Sequence, residues 1–227
     1  MNKIFYFSGS GKSRRLAEYI GKRLNFPIYD IVNYAGDFSA ETAVIIFPVY
    51  CQNLPEPVRD FIPKLKSEKI AFAATYGKKS FGNVIEDAVM LSSSVFIGGI
   101  CLPTGHSFLK EPDCFDLDSI DVFVDKIRNQ TPAEITSYKK DFYADLVPAT
   151  RTQLCVKINK NSSCTNCGIC EKICPVGAIQ NAKINNRCIR CLNCVTNCPE
   201  NALDFKINSI LRIYLKNNRK NGVKFFF

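Results

Sequence analysis

The chain has 227 residues, 46% of them hydrophobic and 22% charged, with twelve cysteines, one histidine and a formal net charge of +9. This composition excludes a disordered chain and suits one or two packed domains. Apolar runs such as 42–51 and 95–102 fall far short of a membrane span, and 4–7 is too short for a signal peptide, so a cytoplasmic protein is expected.

Residues 3–7 are β-rich. They lead into "FSGSGKS" (7–13), and Leu16, Ala17, Ile20 and Leu24 then recur at helical spacing. The letters GKS end an ATP-binding phosphate loop, but that loop needs a Gly five positions before Gly11, where Tyr6 stands. The alternative is a shorter, hydroxyl-rich loop that holds one terminal phosphate with Ser hydroxyls, backbone amides and the helix dipole. Further strands are predicted at 28–32, 43–47, 70–75 and 95–102, and helices at 14–24, 56–66, 81–91 and 117–129. No apolar strand ends in the Asp that would hold magnesium: "VIIF" runs into Pro48 and "IAFAAT" into Tyr76. Five strands alternating with helices predict a doubly wound parallel sheet, with chemistry in the loops at the carboxyl ends of strands one, three and four.

Those loops read "SGSGKS" (8–13), "PVYCQNLP" (48–55) and "TYGKKSFGN" (75–83). Together they resemble the loops of a flavodoxin. The resemblance implies strand order 2-1-3-4-5 and an FMN cofactor. Its phosphate would bind at Ser8, Gly9, Ser10, Gly11, Lys12 and Ser13. Pro48, Val49, Tyr50, Asn53 and Leu54 would flank the ring, with Tyr50 against its face, and Thr75, Tyr76, Gly77, Phe81, Gly82 and Asn83 would meet its edge. Lys12 departs from the family, where this position is usually uncharged. It would either pair with the phosphate or point to solvent.

Residues 132–151 are expected to link two domains, with Tyr138, Phe142 and Tyr143 packing on one of them. Eight of the twelve cysteines then fall within 35 residues. "CTNCGICEKICP" (164–175) and "CIRCLNCVTNCP" (188–199) repeat at a constant offset of 24, each reading C-x2-C-x2-C-x3-C-P. Three cysteines on a tight loop reach three corners of one iron–sulfur cube, and the fourth points to the other half. One cluster should therefore take Cys164, Cys167, Cys170 and Cys198, and the other Cys188, Cys191, Cys194 and Cys174. Zinc sites instead pair two separated C-x2-C units, or combine Cys with His. Residues 152–207 thus resemble a bacterial two-cluster 4Fe-4S ferredoxin, a small α+β domain.

Over its length the chain resembles flavodoxin–ferredoxin fusion proteins, with a flavodoxin-like domain at 1–131 and a basic tail at 208–227 whose apolar residues recur at helical spacing. The resemblance implies an electron-transfer iron–sulfur flavoprotein carrying FMN and two 4Fe-4S clusters. The alternatives are an FMN-dependent reductase of a small acceptor and a redox-sensing or docking module. The expected partners are redox proteins, with donor, acceptor and oligomeric state left open. Residues 1–150 hold 17 basic against 18 acidic residues, whereas 151–227 hold 13 against 3. Basic charge without a recognised motif does not argue for nucleic acid. The tail's apolar positions Ile207, Ile210, Leu211, Tyr214 and Leu215 favour packing on the protein itself over a membrane surface.

Overall fold

The computed structural model describes residues 1–112, 114–135, 148–217 and 222–227. Tyr138, Phe142 and Tyr143 lie outside the described residues. So do Arg219 and Lys220.

The first unit is the expected sheet. Its strands are β1 (Lys3–Tyr6), β2 (Ile28–Asp30), β3 (Ser39–Pro48), β4 (Lys66–Tyr76) and β5 (Val95–Pro103), parallel throughout in the order 2-1-3-4-5. The alternation of side chains along each strand sorts the core into two layers. Phe5, Phe7, Ile45, Phe47 and Phe72 face one side, where α2 (Glu56–Phe61) adds Val58 and Phe61 and α3 (Val84–Met90) adds Val84, Ile85 and Ala88. Ile4, Val44, Ile46, Ala71 and Ala73 face the other, where α1 (Lys12–Leu24) adds Leu16 and Ile20 and α4 (Leu117–Asn129) adds Phe123 and Ile127.

Several boundaries differ from the sequence expectation. The second helix was expected to run to residue 66, but it gives way to a 3-10 turn at Ile62–Lys64, because Pro63 cannot donate into a helix interior. Lys66 then opens β4, so the central strands are longer than their apolar cores: β3 and β4 pair in register from Ser39–Lys66 to Pro48–Thr75.

The main correction is at the sheet edge. The sheet has six strands, not five, because β10 (Lys224–Phe226) pairs antiparallel with β5, Phe226 opposite Gly99 and Lys224 opposite Cys101. An uncovered β5 would present a row of unpaired backbone groups, and β10 pairs with them along residues 99–101. Phe226 is buried there.

The second unit begins with α5 (Pro148–Cys155), so the expected linker at 132–151 runs into regular structure. β6 (Val156–Lys160) pairs antiparallel with β9 (Leu203–Ile207), and β7 (Ile179–Gln180) with β8 (Lys183–Ile184). Between them lie two short helices, α6 (Ile169–Lys172) and α7 (Asn193–Thr196), each following a run of cysteines. After β9 the tail forms α8 (Ser209–Lys216), as its periodicity suggested. Among the described residues, no helix is long and apolar enough to cross a membrane.

Candidate functional site

A cavity of about 420 Å³ opens at the carboxyl ends of β1, β3, β4 and β5. That is the crevice where ligands of doubly wound sheets sit, and the volume falls in the range of cofactor pockets. Its floor is the loop before α1. Gly11 caps that helix in the left-handed region, φ 85°, a conformation that costs glycine little, and the first turn carries no acidic residue. The amides and dipole of the helix start therefore favour an anion. Ser13 Oγ lies 2.9 Å from Thr75 Oγ1, tying the start of α1 to the end of β4, and Ser10 Oγ 2.7 Å from Ser107 Oγ, tying the loop before α1 to the one after β5. Lys12 does not point to solvent: it is buried, and its Nζ donates to the Glu111 carbonyl at 2.8 Å.

The loop after β3 turns back sharply. Tyr50 and Asn53 exchange both backbone hydrogen bonds, at 3.1 and 2.9 Å, so Cys51 and Gln52 are forced to φ of 51° and 67°. Strained non-glycine backbone of this kind persists only where neighbours hold it. Gly82 is one such neighbour, since a Cβ there would stand 2.3 Å from the Gln52 carbonyl oxygen. Cys51 Sγ lies 3.2 Å from Thr152 Oγ1, in the second unit. After β4, Gly77 permits the close approach of His106, whose Cδ2 would lie 2.3 Å from a Cβ. His106 accepts from Phe108 N through Nδ1 at 3.2 Å and lines the cavity from the loop after β5.

Eleven of the expected residues line this cavity: Ser8, Gly9, Ser10, Lys12, Ser13, Pro48, Val49, Tyr50, Thr75, Tyr76 and Gly77. Six do not. Gly11 caps α1, Asn53 closes the turn, and Leu54 packs into the core. Phe81 packs edge-on against Tyr76, Gly82 backs Gln52, and Asn83 precedes α3. These six shape the wall from behind.

The cysteines group across the repeat. Cys164, Cys167 and Cys170 surround one hollow together with Cys198 of the other half. Cys174 lies instead within electrostatic range of Cys191 and Cys194 and packs in one cluster with Cys188. Burial pushes the Cys191 thiol up to about 12, and neighbouring Cys194, Cys188 and Cys174 add to the rise. Burial likewise pushes Cys194 up to about 12, with Cys188, Cys174 and Cys170 contributing in that order. Crowded thiols of this kind favour a ligand that bears positive charge. Cys174 Sγ accepts from Ala178 N at 3.1 Å and Cys198 Sγ from Ala202 N at 3.2 Å, the same bond in each half. Among the described residues, no three His, Cys, Asp or Glu side chains converge on a single ion, whereas thiolates on separate corners of a cube need not converge.

The repeat's second half forms part of the cavity. Ile189, Arg190, Cys191 and Leu192 line it. Gly9 lies so close beneath them that a Cβ would stand 2.0 Å from the Cys191 carbonyl oxygen. Tyr50 is also near: burial, then the Cys191 charge, raises its phenol well above the usual range. Arg190 donates from Nε to Val156 O at 2.9 Å, while its Nη1 is buried without an acceptor. An orphaned guanidinium nitrogen in this wall suits anionic groups on either side.

Residues 160–180 and 182–204 each match the 4Fe-4S binding domain family. The chain joins a flavodoxin-type sheet to a 4Fe-4S binding domain. The sheet's type is carried by its strand order. Solved structures with a similar fold include a flavodoxin from Streptococcus pneumonia TIGR4, 14% identical, covering 57% of this chain and 99% of its own length at a TM-score of 0.44. A flavodoxin from the domain Archaea is 15% identical, covering 57% and 99% at a TM-score of 0.36. Likenesses this distant add nothing to the strand order. No curated protein matches this chain.

Four contributions to this cavity lay outside the residues singled out for the flavin. The loop after β5 was legible, since it too leaves a strand's carboxyl end. Thr152 and Cys155 of α5, residues 189–192 and α8 had no local signal, because they reach the cavity only through domain packing. Cys101 is buried in β5, and burial raises its thiol. Cys114 is exposed and lines neither hollow, while Cys155 lines the cavity.

Proposed function

We propose that this chain is an electron-transfer iron–sulfur flavoprotein with two 4Fe-4S clusters beside one FMN, serving a redox partner protein. When bound, the clusters would supply single-electron exchange and FMN one- or two-electron exchange. The chain's own residues supply placement. Ser8, Ser10, Ser13 and the start of α1 offer hydroxyl and amide donors to a phosphate, with Lys12 beside them. Pro48, Val49 and Tyr50 offer a largely apolar wall to a planar ring, and Thr75–Gly77 offer backbone at its edge. Cys188, Cys191, Cys194 and Cys174 would hold the nearer cluster, and Cys164, Cys167, Cys170 and Cys198 the farther one.

The observation that carries this reading is the contact of Gly9 with the Cys191 carbonyl. The loop that would hold the nearer cluster rests on the loop that would hold the flavin phosphate, which supports two cofactors working as a pair. Anaerobic purification with iron, sulfide and flavin analysis tests it. The expected result is about eight irons, about eight sulfides and one FMN per chain. A protein with stoichiometric zinc, or without flavin after incubation with FMN, would sink the assignment.

A further inference from the structure

The tail beyond residue 207 lies past the 4Fe-4S match, yet it lines the cavity. α8 contributes Ile210, Leu211, Tyr214 and Leu215 to the wall. Ties at both ends and in the middle hold it there. At its start, Asn208 accepts from Leu211 N at 2.8 Å through its side chain, and its own amide donates to the Cys155 carbonyl at 3.0 Å. Leu211 packs beside Leu192 and Phe205 of the 4Fe-4S unit. At its end, Lys79 from the loop after β4 sets its ammonium 4.3 Å from the centre of the Tyr214 ring and donates to the Asn217 carbonyl at 2.5 Å. Beyond it, the Tyr76 hydroxyl donates to the Gly222 carbonyl at 2.6 Å, and β10 locks onto β5.

These ties run to both units, so the helix is positioned by the cavity's own walls. Its cavity-facing residues are three aliphatic side chains and one aromatic ring, which offer a phosphate no donor but the Tyr214 hydroxyl. The hydroxyl donors sit instead on the loop before α1. The cavity thus has a polar floor and an apolar roof.

We propose that α8 is the roof of the cofactor site, with Tyr214 and Leu211 as binding residues for the flavin ring. Lys79 acts as a positioning residue, holding the Tyr214 ring through a cation–π contact. This inference rests on the FMN reading. Tyr214 is 46% exposed, so its replacement leaves the core of the fold intact.

The full chain, purified with its iron, is stripped of flavin and titrated with FMN and with riboflavin. An aromatic contact of this kind corresponds to roughly three- to tenfold in affinity. Tyr214→Ala should therefore weaken both ligands by about that factor, because the lost contact is to the ring they share, and Tyr214→Phe should stay within about twofold of wild type. Lys79→Met should weaken both ligands by a smaller factor. Ser10→Ala should weaken FMN alone. Iodide should quench the flavin of Tyr214→Ala more strongly than that of wild type, while iron content stays unchanged. Wild-type affinity for both ligands in Tyr214→Ala and in Leu211→Ala, with unchanged iodide quenching, overturns the roof while leaving the FMN reading intact. A wild-type chain that binds no FMN removes that reading, and the inference with it.

Discussion

The two halves of the cysteine repeat trace the same backbone with different residues. Asn166, Gly168 and Gly177 in the first half adopt positive φ of 55°, 75° and 58°; the residues 24 positions on, Arg190, Leu192 and Asn201, adopt 55°, 67° and 48°. Asn and Gly take this region readily, whereas Arg and Leu do not. The cysteine spacing fixes the path, and the neighbours choose the residues. In the first half, a Cβ on Gly168 would meet nothing within 4 Å. In the second, Leu192 is buried against Val156 and Phe205 beneath Phe108 of the flavodoxin-type unit, and Arg190 lines the cavity. One half faces outward with relaxed turns, and the other accepts strain to make an interface.

The largest test of this asymmetry compares equivalent cysteines. Cys167→Ser and Cys191→Ser should each lose about half of the iron. Cys191→Ser should also weaken FMN binding, because its loop lies on Gly9, whereas Cys167→Ser should leave it unchanged. Equal flavin affinity in the two variants would erase the distinction. Next is Gly9→Ala, where the added carbon meets the Cys191 carbonyl. Overpacking of this kind costs about 1–3 kcal/mol, read as a lowered denaturation midpoint, and should loosen the contact between the units.

Leu192→Gly sharpens the comparison through its sign. Relief of left-handed strain returns about 1–2 kcal/mol, while lost burial costs about 1.5–3 kcal/mol. A net loss of about 1 kcal/mol is expected from chemical denaturation. A stabilised variant would mean that the interface contributes little there. In the outward half, Gly168→Ala meets only backbone strain, about 1 kcal/mol, with no change in FMN affinity. The smallest effect belongs to Tyr76→Phe, which removes the hydroxyl donor to Gly222 and should cost about 1 kcal/mol or less. Faster amide exchange along β10 would report it.

Much of this was legible in local pattern. The phosphate-type loop, the five alternating strands and the repeated cysteine spacing each depend on residues close in sequence. Boundaries slipped where tertiary pairing overrode composition, as at Lys66, a charged residue drawn into β4 by its partner Ser39. Lys12 was legible as an anomaly but not as a tie to Glu111, because its acceptor lies 99 residues away.

The sequence by itself determined the chemistry on offer: cysteines spaced as in a 4Fe-4S binding domain, a run of hydroxyls and glycines between the first strand and helix, and strands patterned for a buried parallel sheet. Those are short-range properties, set by chain geometry over a few residues. Only the tertiary structure decided that the second cysteine loop rests on Gly9, that α8 lines the cavity and that residues 224–226 become a sixth strand. Each of these joins segments more than a hundred residues apart. Surface complementarity after folding makes such contacts, and no local periodicity encodes them.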